Sequence, residues 1–317
     1  MIRDLKLNGK FILAPMAGVN DIAFRLLCQK YGVAMTCSEM INVNAIERKN
    51  KATIRMAYNP EIERPYCVQL FGTRLEAIKK TIKYLENDCE NVNPDMFDFN
   101  FGCPVRKVMN VGAGSALLRR PSKIGDIIST MRSSTDLAIC GKIRLGINKK
   151  GANYVKTARI IEEAGADTIA VHGRYQEQGY SGTADWNAIK EIVEAVNIPV
   201  IGNGDVTNEQ KGSEIFEKTG CKYAMIGRAA LGNPFIFERL NTFLDSGNTV
   251  RQKSKLEMFV DYMNLAKEFS VKNSFIKQHI MYFTRGIEGG AKLRNEMSKL
   301  NNIDEMLEAF RKHENNY

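Results

Sequence analysis

Residues 97–104, Phe-Asp-Phe-Asn-Phe-Gly-Cys-Pro, contain the pattern that decides the fold of this chain. Aromatic residues at 97, 99 and 101 alternate with Asp98 and Asn100, and a period of two predicts a β-strand over 97–101. Gly102 ends the alternation, and Pro104 favours an extended backbone at Cys103. The sequence therefore predicts a strand that ends on a cysteine, whose thiol is a candidate reactive group at the strand tip.

Seven more short apolar runs have this form, and each is followed by a polar loop and an amphipathic segment. The eight predicted strands cover residues 11–13, 35–39, 66–71, 97–101, 138–144, 168–172, 200–203 and 223–226. The predicted helices between them cover residues 21–31, 73–85, 121–131, 151–164, 186–196 and 208–219. Strands that alternate with helices form parallel sheets, and eight such repeats predict an α/β fold, the (β/α)8 TIM barrel. An open doubly wound sheet is the alternative, but residues 14–18, Ala-Pro-Met-Ala-Gly, lack the glycine-rich turn that it needs.

The strand pattern stops near residue 246, and helical patterns follow at 256–269, 275–283 and 303–310. A length of 317 residues suits a barrel of about 250 residues with a small addition. We therefore expect two domains: a catalytic barrel over residues 1–245 and a small C-terminal helical domain over residues 246–317. Because no long linker separates them, the two domains should pack together.

Composition excludes several classes of protein. Hydrophobic residues make up 44% of the chain, which is typical of a globular protein. No apolar run of about 18 residues and no secretory signal is found, so we expect a cytoplasmic protein that does not contact a membrane. The seven scattered cysteines contain no Cys-x-x-Cys pair, which argues against disulfides and against a metal site. The net charge of +9 favours a polyanionic partner, although many basic proteins have none; we expect a monomer.

Candidate site residues stand at the C-terminal ends of all eight predicted strands, where a barrel of this type carries its active site. In strand order they are Pro15, Met16 and Ala17; Glu39; Gln69; Asn100 and Cys103; Lys142 and Arg144; His172 and Arg174; Asn203, Gly204 and Asp205; Gly227 and Arg228. This convergence on one rim predicts the position of the active site.

The loops after the seventh and eighth strands have the composition of a phosphate site. Barrels often bind phosphate there, where glycines such as Gly204 and Gly227 let backbone N–H groups approach and Arg228 adds a charge. Asp205 fits a loop or cap role better, since its charge would repel phosphate. Glycines that simply make turns are the alternative. A phosphate at this rim implies a cofactor or a nucleotide.

Two further rim residues favour contact with a ligand. Lys142 lies in an otherwise apolar strand, where it would stabilise an anionic group such as the edge of a reduced flavin; a lysine that reaches solvent is the alternative. His172 ends a strand before Gly-Arg, which favours a ligand contact over a structural role. We expect His279 and His313 to be structural.

From Ala14 to about Phe237 the chain resembles the tRNA-dihydrouridine synthases, flavoenzymes that reduce specific uridines in transfer RNA. The resemblance rests on many short blocks in register, and in the C-terminal region only the helical character is similar. The blocks are Ala-Pro-Met-Ala-Gly at 14–18, Ser-Glu-Met at 38–40, Val-Gln-Leu at 68–70, Asn-Phe-Gly-Cys-Pro at 100–104, Lys-Val at 107–108, Gly-Ala-Gly-Ser-Ala-Leu-Leu at 112–118, Lys-Ile-Arg at 142–144, His-Gly-Arg at 172–174, Gly-Asn-Gly-Asp at 202–205 and Met-Ile-Gly-Arg at 225–228.

The resemblance implies an FMN cofactor and assigns a role to each rim residue. The flavin ring would be lined by Pro15, Met16 and Ala17, and its polar edge would bond Gln69 and Lys142. The ribityl phosphate would be held by Asn203, Gly204, Asp205, Gly227 and Arg228, with His172 also touching the cofactor. Cys103 would be the general acid, and the substrate would be bound by Asn100, Arg144 and Arg174.

The implied reaction has two halves. NADPH, or NADH, reduces the flavin, and hydride then passes from flavin N5 to uracil C6 while Cys103 gives a proton to C5. A thiol with an ordinary pKa near 8.5 is mostly protonated at neutral pH, which suits an acid better than a nucleophile. The uridine would have to be extruded from the folded tRNA. Candidate tRNA contacts are Arg106, Lys107, Arg119, Arg120, Lys149, Lys150 and Arg174, the stacking residues Tyr175 or Tyr180, and Lys277, Arg285, Lys292 and Arg294 in the helical domain.

Two other functions are also compatible with the sequence. A flavin barrel that acts on free pyrimidines or dihydroorotate uses similar chemistry, but the basic charge and the appended helical domain favour RNA. A non-catalytic RNA-binding module on a barrel scaffold would be colourless as purified, whereas a flavoenzyme would be yellow.

Overall fold

The computed structural model describes residues 1–314, and its centre is a barrel of eight parallel strands. Their bounds are β1 (Phe11–Leu13), β2 (Thr36–Asn42), β3 (Tyr66–Phe71), β4 (Met96–Asn100), β5 (Ala138–Arg144), β6 (Thr168–His172), β7 (Val200–Asn203) and β8 (Tyr223–Ile226). Neighbouring strands pair in the order β1-β8-β7-β6-β5-β4-β3-β2. A parallel bridge between Ile12 and Met35 brings β1 to the start of β2 and closes the ring. The predicted (β/α)8 TIM barrel is confirmed.

The helices lie between the strands and after β8. Their bounds are α1 (Ile22–Lys30), α2 (Val43–Glu47), α3 (Lys51–Met56), α4 (Leu75–Lys83), α5 (Arg106–Met109), α6 (Pro121–Arg132), α7 (Tyr154–Glu163), α8 (Trp186–Ala195), α9 (Glu209–Thr219), α10 (Ile236–Ser246), α11 (Lys255–Glu268), α12 (Asn273–Phe283), α13 (Gly290–Lys299) and α14 (Ile303–Glu314). Each predicted helix has a counterpart, while the sequence patterns missed α2, α3, α5, α10 and α13. Three of these helices have only four to six residues, too few to show a helical period.

Alternation along the strands sorts side chains between the barrel interior and the surrounding helices. Phe97 and Phe99 of β4 belong to the cluster shared with the helices, whereas Met96 belongs to a second cluster with residues of the other strands. This inner cluster consists of small or flexible side chains, including Ile12, Cys37, Cys67, Cys140, Ala170, Ile201 and Met225. Two residues further along β3, β4, β5, β6 and β7, the inward positions become polar. The inward polar residues are Gln69, Asp98, Asn100, Lys142, Arg144, His172 and Asn203.

The C-terminal helices pack against the β1–α1 side of the barrel. Tyr262 of α11 donates a hydrogen bond to Asp21 (3.1 Å), and His279 of α12 lies 2.9 Å from the same carboxylate. His279 is fully buried and also contacts the Val19 carbonyl oxygen at 3.0 Å. These contacts fix the helices to the loop that follows β1. No helix within residues 1–314 combines the length and the apolar character needed to cross a membrane.

The proposed division at residue 246 stays a prediction. α10 ends at Ser246, next to the expected boundary, and α11 to α14 form the helical region that follows. Residues 315–317 of the expected helical domain lie outside the described residues.

Candidate active site

A chain of side-chain amides crosses the floor of the barrel mouth from β3 to β4. Gln69 and Asp98 are register partners on the two strands, and Gln69 Nε2 donates to Asp98 Oδ2 at 2.6 Å. Asn100 Nδ2 donates to Gln69 Oε1 at 2.8 Å. All three side chains are buried, so their polar groups depend on one another for hydrogen bonds.

The same chain holds the cysteine loop. Asn100 Oδ1 accepts the backbone N–H groups of Gly102 (3.1 Å) and Cys103 (2.8 Å). β4 ends at Asn100, one residue before the predicted end at Phe101, and Cys103 lies in the loop that follows and not on the strand itself. The loop turns here because the Asn100 side chain replaces the strand partner of these two N–H groups.

Cys103 itself is 8% exposed and packs with Val108 and Ala113, against Met40 and Phe71. Burial raises the pKa of its thiol, while the charges of Arg144 and Lys142 act in the opposite direction. The sulfur is therefore a protonated thiol at neutral pH, close to two cations.

Lys142 is one inward position above Cys140 on β5 and pairs in register with Asn100. Its Nζ donates to Asn203 Oδ1 at 3.3 Å, and Asn203 Nδ2 donates to the Met225 carbonyl at 2.7 Å. Burial lowers the pKa of Lys142, and Asp98 opposes this effect. An ammonium group so placed is a strong donor with spare N–H bonds for an anionic ligand.

His172 lies in the most positive part of the mouth. Burial lowers its pKa to about 2, and the charges of Lys142, Arg144, Arg174 and Arg228 act in the same direction. The imidazole is therefore neutral throughout the physiological range, and it can donate or accept a hydrogen bond but does not act as an acid.

Arg174 is held within the protein. Its Nη2 donates to both carboxylate oxygens of Asp205 at 2.8 Å and to the Gly182 carbonyl at 2.6 Å, and only 2% of its side chain is exposed. Burial tends to raise the pKa of Asp205, but hydrogen bonds from the Ala184 N–H and Arg174 lower it overall. The pair pins the β6–α8 loop to the β7 loop. The role of Arg174 in substrate binding stays a prediction.

The predicted phosphate loops lie side by side with the loop after β1. Gly204 has φ 127°, and a Cβ there would stand 2.7 Å from Ala184 Cβ, so only glycine fits. Gly227 faces Ala14 and Met16, with ordinary space for a Cβ. Pro15 and Met16 are half-buried and Ala17 is exposed.

Tyr180 is an aromatic residue at the edge of the mouth, and it is 59% exposed. The Arg228 guanidinium lies 4.5 Å from its ring centre and that of Arg144 lies 5.8 Å away. The side chain of Arg228 is 52% exposed and stands 3.7 Å from Asp205. The mouth thus combines exposed cationic donors with a flat aromatic surface.

Asp98 is the buried residue that the sequence interpretation passed over. Asp98 and Asn100 alternate with Phe97 and Phe99, which places the two polar side chains on the same face of β4. This pattern was sufficient to include Asp98 among the candidate site residues. Of the basic residues expected to contact tRNA, most are exposed, but Arg294 donates to the Thr284 carbonyl at 2.9 Å and Lys277 donates to Asn301 Oδ1 at 3.1 Å.

Comparisons with known proteins place the chain in a family. The family model described as "Dihydrouridine synthase (Dus)" matches residues 12–316. The chain is 31% identical to "tRNA-dihydrouridine synthase B" of Pseudomonas aeruginosa, over 96% of this chain and 92% of that protein. It is 32% identical to "Probable tRNA-dihydrouridine synthase" of Aquifex aeolicus, over 95% and 94%. Among solved structures, histamine dehydrogenase from Rhizobium sp. 4-9 has a TM-score of 0.56 at 12% identity, over 82% of this chain and 49% of that one, which shows the fold alone.

The chain belongs to the class of (β/α)8 TIM barrels. Enzymes of this class carry their active sites at the C-terminal ends of the strands. Within that class, the match over nearly its whole length shows that the chain belongs to the dihydrouridine synthase family, a family of oxidoreductases.

Proposed function

We propose that this protein reduces specific uridines of tRNA to 5,6-dihydrouridine, with FMN as its cofactor and NADPH or NADH as the reductant. The observation that supports the proposal most is the position of Cys103. A protonated thiol stands at the mouth of the barrel, on a loop tied to the floor by Asn100 and close to Arg144 and Lys142. Membership in the dihydrouridine synthase family and a proton donor at the barrel mouth together favour a reduction in which one proton is added to a carbon atom of the substrate.

The rim fits a flavin mononucleotide. Lys142 presents N–H groups from the barrel floor, and the exposed Arg228 guanidinium stands beside the narrow turn at Gly204. We propose that Gln69, whose amide is bonded to Asp98 and Asn100, lies beneath the polar edge of the flavin. Positive charge and glycine backbone suit a phosphate, while the half-buried Pro15 and Met16 offer an apolar surface for a ring. When bound, a flavin supplies the redox chemistry, moving two electrons from a nicotinamide to the uracil ring.

The protein's own contribution at the substrate is proton delivery and charge control. Addition of hydride at C6 and of a proton at C5 converts uracil to dihydrouracil, and the Cys103 thiol gives that proton and becomes a thiolate, which solvent protonates again. The adjacent cations Arg144 and Lys142 favour the thiolate and the negative charge that develops on the base. We propose that Asn100, Arg144 and Arg174 bind the substrate and that His172 touches the cofactor as a neutral ring.

We propose that tRNA binds across the mouth and the C-terminal helices. Arg106, Lys107, Lys149 and Lys150 are exposed around the rim, and Arg285 and Lys292 are exposed on the helical region. Contacts of this kind go mainly to phosphate and make affinity depend on salt. We further propose that the protein acts as a cytoplasmic monomer with the barrel and helical domains divided near residue 246.

The test uses purified full-length protein and unmodified tRNA. We expect a yellow protein with about one FMN per chain, oxidation of NADPH, and dihydrouridine in the tRNA by mass spectrometry. A colourless protein without activity would reject the proposal and favour a binding module. Equal activity on free uracil or dihydroorotate would favour the small-pyrimidine alternative.

A further inference from the structure

We propose that Asp98 is a positioning residue that sets the direction of the amide chain holding Cys103. The inference rests on the proposed function only where it concerns uridine reduction; the geometry of the chain is independent of it. Asp98 lies one inward position below Asn100, the last residue of β4, and it acts on the loop through Gln69 and Asn100.

Direction follows from which atoms can donate. An ionised carboxylate only accepts hydrogen bonds, so Asp98 must face the amide nitrogen of Gln69, at 2.6 Å. The oxygen of Gln69 is thereby turned toward β4, where it accepts from Asn100 Nδ2 at 2.8 Å. The oxygen of Asn100 is turned toward the loop, where it accepts the Cys103 N–H at 2.8 Å.

Side-chain amides alone would not fix this direction. Each amide carries a donor and an acceptor at nearly the same position, and rotation by 180° exchanges them. If both amides turned over, the nitrogen of Asn100 would face the N–H groups of Gly102 and Cys103. Two donors would then oppose each other, and the hydrogen bonds that fix the loop would be lost. The carboxylate at the start of the chain and the two backbone N–H groups at its end therefore favour the same direction, and Asp98 keeps the Gln69 amide from opposing the loop.

The position of Asp98 has a cost that is consistent with such a role. Its Oδ1 is buried without a nitrogen or oxygen hydrogen-bond partner among residues 1–314, the Cys140 thiol interacts with the carboxylate, and the side chain is 1% exposed. Burial raises its pKa to about 6, while the Gln69 hydrogen bond and the Lys142 charge act in the opposite direction. An apolar side chain of similar size would remove the cost of a buried charge, but it would also remove the acceptor.

Asp98→Asn is the first test, because it keeps the shape and removes the obligate acceptor. Lys142 on the neighbouring strand attracts the oxygen of the introduced asparagine and favours its nitrogen toward Gln69. That orientation opposes the direction set by the two backbone N–H groups at the other end of the chain, so the hydrogen bond to the Cys103 N–H is weakened and the loop loosens. We expect alkylation of Cys103 by N-ethylmaleimide to become about five- to tenfold faster, as expected for one lost hydrogen bond. A Cys89→Ser background removes the half-exposed cysteine from this measurement.

The second variant, Asp98→Asn with Gln69→Glu, restores the direction with the charge moved by one residue. The introduced glutamate only accepts, so it takes a hydrogen bond from the introduced asparagine and another from Asn100. We expect the alkylation rate of Cys103 to return toward the wild-type value, whereas Gln69→Glu alone places two carboxylates face to face and should be the least stable protein. A merely structural role of Asp98 gives no reason for a second substitution to restore the rate.

The outcomes separate this inference from the proposed function. Wild-type alkylation in Asp98→Asn, or a double variant that reacts as fast as the single one, would overturn the positioning role. If Asp98→Asn does not fold, the melting temperature of the double variant is the deciding measurement. A melting temperature that returns toward the wild-type value supports the positioning role of Asp98, and a double variant that also fails to fold overturns it. Alkylation of Cys103 is measured without flavin or tRNA and so does not depend on the proposed function. If alkylation is faster in Asp98→Asn and recovers in the double variant, but the protein forms no dihydrouridine, the role of Asp98 is retained and the proposed function is rejected.

Discussion

Replacement of Cys103 by alanine tests the proposed acid directly. Burial keeps the thiol protonated at neutral pH, so the whole contribution of a general acid is available there, about 10²- to 10⁴-fold in rate. Cys103→Ala should slow dihydrouridine formation by that factor. Reduction of the flavin by NADPH does not need this proton and should change by less than about twofold.

The fold should tolerate this substitution. Cys103 packs in a small cluster with Val108 and Ala113, and deletion of one buried atom of methyl size costs about 1 kcal/mol, which lowers the melting temperature of a chain of this size by about 2 °C. Cys221→Ala is the matched control, because Cys221 is also buried but precedes β8 at the other end of the barrel.

The assay uses enzyme whose flavin has been reduced in advance. This enzyme is mixed with tRNA, and dihydrouridine is measured in a single turnover. Reduction of the flavin by NADPH is measured separately by stopped flow. In the wild type, the single-turnover rate should be constant between about pH 7 and 8 and should fall at higher pH, where a thiol whose pKa is raised above its ordinary value loses its proton. An unchanged single-turnover rate in Cys103→Ala would remove this residue from the reaction.

Three further predictions concern other parts of the chain. Lys142→Met should weaken FMN binding by about tenfold or more, since a charge-assisted hydrogen bond is lost; a fluorescence titration with wild-type affinity would contradict the placement of Lys142. Arg285→Ala with Lys292→Ala should reduce the slope of log affinity for tRNA against log salt by about 2, and an unchanged slope would move the tRNA elsewhere. Asp21→Ala removes a helix cap, the acceptor of the buried Tyr262 hydroxyl and one of the two oxygens beside His279. It should therefore cost about 2–4 kcal/mol in urea unfolding, against about 1 kcal/mol for the simple cap variant Asn208→Ala; equal costs would show that the contact between the helices and the barrel adds nothing.

Much of the barrel was predictable because the alternation of side chains along a strand determines both the period of the sequence pattern and which side chains are buried. In β4, Phe97 and Phe99 face the helices while Asp98 and Asn100 face the interior, and both facts follow from a period of two. The short helices α2 and α5 were not predictable, because four or five residues do not show a helical period and are stabilised by what surrounds them.

The candidate site was predictable in its members but not in its connections. Strand ends identified Gln69, Asn100 and Arg174 as rim residues, because all parallel strands end on the same side. The hydrogen bonds that join Gln69 to Asp98, and Arg174 to Asp205, link residues 29 and 31 positions apart. Sequence spacing does not determine such pairs, since they depend on strand register and on the direction of each amide.

Electrostatic interactions connect the carboxylate inside the barrel with the cations at its mouth. Lys142 and Arg144 are inward cations on one strand, and burial lowers the pKa of both. Two buried like charges are unfavourable unless carboxylates or an anionic ligand balance them. Asp205 is already paired with Arg174, and Asp98 below Lys142 is the carboxylate that favours the charged form of Lys142 from inside the barrel. A single negative group under two cations leaves positive charge at the mouth. The same carboxylate that orders the amide chain beneath Cys103 therefore also allows Lys142 to stay charged and available to an anionic cofactor.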